Sequence, residues 1–255
     1  MGINHWLNER RQIIKFYKDL YIHCYNNKFN NIYKEKYSPA GKIPKVLHYA
    51  WFGKGEKPDL LKTCMETWPK ILPDYEIKLW DESNFPIDLY PFAKQAYDKR
   101  KYAFVADLAR LHSIYYEGGI YVDTDCELLK SFNDLLDKDA FACYESSNLI
   151  SIGTLGAKKH HPWVGLMLLW YYGLDFCDDY AEIANTRILT RIMRMQYGVK
   201  PNGKLLELPN GVTIFPREYF CPNKINGQWQ VTKDTYVVHH FSGLWCNCRI
   251  RLSFY

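Results

Sequence analysis

Apolar positions fall into short blocks whose spacing alternates between helical and extended along the chain. Between residues 3 and 25, Ile3, Leu7, Ile13, Phe16, Leu20 and Cys24 recur at helical spacing. A second short helix is expected before Ser38-Pro39-Ala40-Gly41, which reads as a turn or linker. Ile43 to Trp51 reads as the first core strand and stops at Phe52-Gly53. A helix is expected over 59–70, bounded by Pro69 and Pro73, followed by strand-like alternation from Tyr75 to Trp80. Residues 91–100 and, more strongly, 101–117 look helical, and Gly118-Gly119 ends the second of these. The short apolar run Ile120-Tyr121-Val122 then reads as a buried strand, and Tyr236 to Trp245 as another that ends in polar groups. Strands alternating with helices predict an α/β layered fold with a mainly parallel sheet. The linker divides a helical extension, 1–42, from a body, 43–255. In such sheets ligands bind beyond the carboxyl ends of the strands, where both Trp51 and the residues after Val122 are expected.

Composition adds bounds. The chain has 255 residues, 47% hydrophobic and 24% charged, which is ordinary for a globular protein; a chain of this length buries roughly 70–75% of its extended surface. No run of 18 apolar residues is present, so no membrane-spanning helix is expected. The N-terminus lacks the unbroken apolar core of a signal peptide, and eight scattered Cys read as free thiols in a reducing cytosol. The net charge of +5 resides in residues 1–42, which hold eight Lys/Arg against three Asp/Glu. That segment also carries Trp6, Phe16, Tyr17, Tyr21, Tyr25, Phe29, Tyr33 and Tyr37. A basic, aromatic segment suits an anionic membrane surface or a partner; the plainer reading is a helical appendage whose rings pack on the body. No nucleic-acid partner is expected.

The chemistry concentrates in Tyr116 to Glu127, YEGGIYVDTDCE. Asp123 and Asp125 are spaced i, i+2 at a strand's end, so their carboxylates share a side and repel unless a cation lies beside them. Mg²⁺ or Mn²⁺ takes oxygen ligands and is commonly shared with substrate phosphates. In the preceding helix, Asp107 and Arg110 at i, i+3 sit among Phe104, Val105, Leu108 and Leu111. A charged pair in so apolar a helix is either a plain intrahelical salt bridge or a pair kept for a ligand. His239 and His240 face opposite sides of their strand, so one of them at most meets a given ion; imidazole beside carboxylates favours Mn²⁺ over Mg²⁺. Cys246-x-Cys248 near the His pair is a weak zinc signal, because no second closely spaced Cys pair exists. Gly53-Lys54-Gly55 fits neither phosphate-loop pattern.

Taken together, LHYAWFG (47–53), KYAFVADLARLHSIYYEGGIYVDTD (101–125) and VVHHFSGLW (237–245) resemble the sugar-binding, DXD-containing glycosyltransferases of family 32, with the large glucosylating bacterial toxins as more distant relatives. The resemblance covers about residues 43–245. It implies a GT-A fold, a nucleotide-sugar donor, a divalent metal (Mn²⁺ or Mg²⁺) and retention of anomeric configuration. It places Trp51 against the nucleobase and Asp107 and Arg110 on the donor sugar. Asp123 would touch ribose and sugar hydroxyls with a share of the metal, and Asp125 would be the direct metal ligand. His240, with His239 second, is expected as the C-terminal ligand. Trp245 would approach the diphosphate, and Tyr121 and Ser242 complete the nucleotide-sugar-binding set. Many relatives have Ser just before that Trp, whereas Leu244 stands here; Ser242 is expected to supply the missing hydroxyl. The implied function is transfer of a sugar, from a UDP-sugar first and GDP-mannose second, to a glycan or lipid-linked glycan in surface polysaccharide assembly. Cysteine usage and the basic N-terminal segment, not the resemblance, give the expected location: cytoplasmic, peripheral at the membrane's inner face. Two other readings compete: a phosphatase or phosphotransferase with Asp123 as nucleophile, and a non-catalytic carbohydrate-binding protein on the same fold.

Overall fold

The structure, a computed structural model, describes residues 41–177, 179, 183–208 and 210–243. The expected N-terminal helices and the basic segment therefore lie outside the described residues, as do Leu244, Trp245, Cys246 and Cys248.

The body opens with β1 (Val46–Ala50), then α1 (Asp59–Ile71), β2 (Glu76–Trp80), α2 (Pro91–Asp98) and α3 (Tyr102–Glu117). The strands β3 (Gly119–Val122), β4 (Cys126–Leu128), β5 (Ala140–Ser146) and β6 (Leu149–Ala157) follow. The described elements finish with α4 (Pro162–Trp170), α5 (Asn185–Tyr197), β7 (Leu206–Glu207), β8 (Val212–Phe215), β9 (Lys224–Ile225), β10 (Gln228–Trp229) and β11 (Val237–His239). Seven strands form one sheet in the order β2-β1-β3-β6-β5-β8-β7. The pairs β1/β2, β1/β3 and β5/β8 are parallel, while β6 is antiparallel to both its neighbours and β7 to β8. Five strands thus run one way, and the carboxyl ends of β2, β1, β3, β5 and β8 share one edge. The α/β, mainly parallel architecture read from the sequence is the one observed.

The core lies on both faces. On one, Val105, Leu108 and Leu111 of α3 and Val164 and Leu168 of α4 pack with Tyr121 and Ile152 from the sheet. On the other, Trp68 of α1 packs with Ile120, Val122, Phe141 and Val237. Successive residues of β3 therefore divide between two cores, which is why the strand reads as a continuous apolar run rather than an alternation. Trp68 Nε1 also donates to the Cys126 carbonyl at 2.9 Å, tying α1 to the segment just after the D-T-D.

The passage from α3 to β3 sets the position of the carboxylates. Gly118 (φ +72°) and Gly119 (φ +108°) both occupy the left-handed region. A Cβ at Gly118 would lie 2.8 Å from the Lys159 nitrogen, and one at Gly119 2.7 Å from the Val46 carbonyl oxygen. Only glycine fits either place without strain. The helix therefore stops within two residues of the strand, and Asp107, Arg110, Asp123 and Asp125 are brought to one end of the fold by a short stretch of chain.

The last predicted strand is shorter than expected. It spans Val237–His239 and pairs antiparallel with β4 as a two-stranded ribbon outside the main sheet. His239 is opposite Cys126 in that register, so the ribbon carries the His beside the D-T-D loop.

Candidate metal and sugar-nucleotide site

Arg110 anchors one flank. It projects from the middle of α3 and is 3% exposed. Its NH2 donates to Asp123 Oδ1 at 2.5 Å, and its NH1 lies 3.5 Å from Asp107 Oδ1. The guanidinium stands over the Tyr121 ring, 4.7 Å from the centroid. Nε and NH1 are buried without a hydrogen-bond partner. Unmade bonds on a buried guanidinium are costly, so these donors are where a polar ligand would be received. Burial works against the Arg110 charge, but Asp123, Tyr121 and Asp107 raise its pKa further. Asp107 is buried, and that burial pushes its carboxyl up to about 6 against the opposing pull of Arg110 and of Asn185. Asn185, the first residue of α5, donates from Nδ2 to Asp107 Oδ1 at 2.7 Å. This residue was not predicted: it is 78 positions from its partner, and nothing in its local sequence signals the contact.

Asp125 and His239 form the second flank. Asp125 Oδ1 lies 3.2 Å from His239 Nε2, and its Oδ2 accepts the Ser242 backbone N–H at 2.7 Å. The His240 N–H donates to the Asp125 carbonyl oxygen at 3.0 Å. Burial opposes the Asp125 charge, yet the bonds from His239 and Ser242 hold its carboxyl well below the usual carboxylate range. Burial likewise opposes a charge on His239, while Asp125 and Cys221 raise its pKa well above the ordinary value. Asp123 goes the other way. Burial raises its carboxyl, and Arg110 and His239 only partly offset that.

The flanks meet at three atoms. Asp123 turns Oδ1 to Arg110 and leaves Oδ2 3.9 Å from His239 Nε2, which in turn faces Asp125 Oδ1. Gly153 of β6 lies beneath. A Cβ there would come within 2.9 Å of both Asp123 Oδ2 and His239 Cε1, so the absence of a side chain lets the carboxylate and the imidazole converge. Asp125, His239 and Cys126 bring possible ligand atoms within 4.8 Å of one another, and Asp123 Oδ2 stands at their border, 3.9 Å from His239 Nε2. Carboxylate oxygen with imidazole nitrogen suits a divalent cation that tolerates nitrogen. The Cys126 thiol is turned toward the Gly153 carbonyl and Thr154, and burial raises it well above its ordinary pKa.

The structure corrects the order of the His pair. His240, preferred from the sequence, turns away: its Nε2 lies 3.0 Å from Glu127 Oε2, and its ring meets Trp229 edge-on at 5.3 Å. His239, placed second, is the imidazole at the carboxylates. The register of β11 against β4, not the strand's apolar lead-in, decides which face meets the D-T-D loop. Ser242 meets the site through its backbone N–H, which donates to Asp125 Oδ2 at 2.7 Å, and through its side chain, which also lowers the Asp125 carboxyl. Trp51 follows β1 at the same sheet edge, and its Nε1 donates to the Gly55 carbonyl at 2.7 Å. The ring is half-buried, with the Lys57 ammonium 5.1 Å above it. Tyr121 is buried beneath Arg110, where it supports the guanidinium.

Comparison with known proteins agrees with this geometry. The family model for the glycosyltransferase sugar-binding region containing the DXD motif matches residues 58–142, which contain Asp107, Arg110, Asp123 and Asp125. Inositol phosphoceramide mannosyltransferase 3 of Schizosaccharomyces pombe is 33% identical over 143 residues, covering 54% of this chain and 40% of that protein. The uncharacterized glycosyltransferase L373 of Acanthamoeba polyphaga mimivirus is 32% identical over 130 residues, covering 47% of this chain and 52% of that protein. The chain thus spans about half or less of the length of these relatives. Among solved structures, the PaToxG glycosyltransferase superposes with a TM-score of 0.52 at 17% identity, covering 77% of this chain and 81% of that one. That likeness concerns the fold, which is of the GT-A type.

Proposed function

We propose that this chain, whose residues 58–142 are a DXD-containing glycosyltransferase sugar-binding region, is a metal-dependent, retaining glycosyltransferase using a nucleotide-sugar donor. The observation that carries the reading is that His239 Nε2 lies 3.2 Å from Asp125 Oδ1 and 3.9 Å from Asp123 Oδ2 at the carboxyl edge of the sheet, beside buried Arg110 donors without a hydrogen-bond partner among the described residues. Asp125, His239 and Asp123 would hold Mn²⁺ or Mg²⁺, which supplies Lewis-acid neutralisation of the departing diphosphate. The protein's own groups do the rest. Arg110 offers Nε and NH1 to the donor, fixed by Asp123 and by the Tyr121 ring, so the donors need no reorganisation as charge develops. Asp107, held by Asn185, accepts from a sugar hydroxyl. Trp51, at the neighbouring strand end, stacks on the base.

The names of the fission-yeast relative and of two Saccharomyces cerevisiae relatives, mannosyl phosphorylinositol ceramide synthases CSH1 and SUR1 at 27% and 26% identity, favour a mannosyl donor such as GDP-mannose over the UDP-sugars preferred from the sequence. They also favour a lipid-borne acceptor. A role in surface polysaccharide assembly belongs to the same reading and rests on the resemblance, whereas a cytoplasmic place at an anionic membrane, reached through the basic segment 1–42, rests on composition alone. No helix among the described residues is long and apolar enough to cross a membrane. The match of the family model across the D-T-D favours transfer over the phosphotransferase reading of Asp123. The test is donor hydrolysis across GDP-mannose and a panel of UDP-sugars, with and without Mn²⁺. Metal-dependent turnover of one donor is expected. Hydrolysis of a simple phosphate ester without turnover of any sugar donor contradicts the proposal.

A further inference from the structure

One carboxylate near this site has no part in the arrangement described so far. Glu145 lies near the carboxyl end of β5, where the pairing with β6 shifts register between Tyr144 and Ser146. Such bulges re-aim a side chain and recur beside active sites. Alternation along β5 sends Ala140, Ala142 and Tyr144 into one core and Phe141 and Cys143 into the other, with Val122, Cys126 and Cys221. Glu145 continues the second set. It is half-buried and makes no hydrogen bond or ion pair with another described residue. β6 alone separates its strand from β3, which leads into Asp123, and the charged groups around it are His239, Arg217 and Asp123. Arg217 follows the parallel neighbour β8 and is held by the Cys221 carbonyl at 2.9 Å from its Nε. A half-buried carboxylate without a partner is expensive to keep unless a ligand completes it.

Its place along the edge indicates which ligand. The strand order runs β1, β3, β6, β5, β8, so Trp51, Asp123, Glu145 and Arg217 follow one another across the carboxyl edge. Neighbouring strands are about 4.8 Å apart, which puts the backbone of β5 roughly 10 Å beyond that of β3. The nucleotide occupies the Trp51 side and the diphosphate the centre. The remaining side, at β5 and β8, is where the incoming hydroxyl must enter. We infer that Glu145 is an acceptor-binding residue: its carboxylate accepts a hydrogen bond from the attacking hydroxyl and orients that oxygen toward the sugar. The inference rests on the glycosyltransferase reading above and deepens it.

The test compares Glu145→Gln and Glu145→Ala with wild type in two measurements. The first is calorimetric binding of Mn²⁺ with GDP or UDP. The second is hydrolysis of the preferred nucleotide sugar, in which water takes the place of the acceptor hydroxyl. Nucleotide affinity is expected within about twofold of wild type, since Glu145 lies off the diphosphate. Turnover is expected to fall about a hundredfold in Glu145→Ala and about tenfold in Glu145→Gln, whose amide oxygen still accepts a bond, in line with the worth of a charge-assisted hydrogen bond. Wild-type turnover in both variants, or a parallel loss of nucleotide affinity, overturns the assignment. A glycosyl adduct on Glu145 seen by mass spectrometry also overturns it, in favour of a covalent nucleophile. If the wild-type protein itself binds no metal–nucleotide and hydrolyses no donor, the glycosyltransferase reading fails and the inference falls with it. If only the variants behave as wild type, the inference alone fails.

Discussion

The Arg110 flank and the His239 flank hold adjacent carboxylates in opposite states. On the first, Asp107 and Asp123 are raised by burial even though a guanidinium lies between them, and Arg110 keeps donors unused. On the second, burial opposes the Asp125 charge, but the His239 ring and the backbone N–H and side chain of Ser242 hold its carboxyl below the usual range. A raised carboxyl is an adaptable hydrogen-bond acceptor, suited to neutral hydroxyls. A depressed one stays an anion under all ordinary conditions, suited to a cation. Two carboxylates two residues apart are thus assigned different work by their surroundings rather than by their type.

The comparison breaks most visibly at Asp125. Asp125→Asn should lower turnover about a thousandfold or more, on the scale seen when a principal charge-stabilising group is removed. Unchanged circular dichroism would show that the fold survives. Next comes Arg110→Lys, which keeps the charge but loses the fork that spans Asp123 and the ligand. The expected loss is about a hundredfold in kcat, measured with saturating donor; a change confined to KM would place the guanidinium outside the reacting centre. The His pair separates the flanks from ribbon chemistry. His239→Ala should weaken Mn²⁺ binding by about 10- to 100-fold, while His240→Ala, which loses a contact with Glu127, should stay within about threefold. Equal effects would restore the order read from the sequence. Trp51→Ala should cost about 1–3 kcal/mol in donor binding, the worth of stacking on a base; an unchanged dissociation constant removes Trp51 from the nucleotide.

The smallest expected effect is a difference in pH dependence. Asp107 titrates near 6. Below that pH the carboxyl is protonated and accepts a sugar hydroxyl poorly, so affinity for the intact nucleotide sugar should fall as pH drops from 7 to 5. The nucleoside diphosphate, which lacks the sugar, carries the metal's own pH dependence and serves as the reference. A steeper fall for the intact sugar nucleotide than for the diphosphate is expected. Stability has the opposite sign. The folded Asp107 carboxyl binds its proton more tightly than the unfolded one, so its contribution declines as pH rises from about 4 to 6. Asp125, depressed on folding, contributes stability above about pH 4 that is lost as pH falls further.

Much of this was legible in the chain because it is local. The α3 helix, the Gly118-Gly119 stop and the strand before Asp123 follow one another without interruption, and periodicity with two glycines is enough to place them. Helix ends at 71, 98 and 117 fall close to the expected ones for the same reason. What stayed hidden depends on pairing between distant segments. The choice of His239 over His240 is made by the register of β11 on β4. Asn185 reaches Asp107 only because α5 docks near α3, and the space beneath the carboxylates exists because Gly153 crosses there in β6. The pairing of the last strand with β4 was also hidden, because an apolar run gives no indication of which neighbour it will pair with.

The central claim is that Asp125 and His239 jointly hold a divalent cation that a nucleoside diphosphate completes. Calorimetric titration of GDP and UDP into the protein, with and without Mn²⁺, tests it directly. The account predicts that one nucleotide binds only with the metal present, and that Asp125→Asn and His239→Ala each abolish or sharply weaken that binding while His240→Ala does not. Metal-independent nucleotide binding, unchanged in Asp125→Asn, would contradict it.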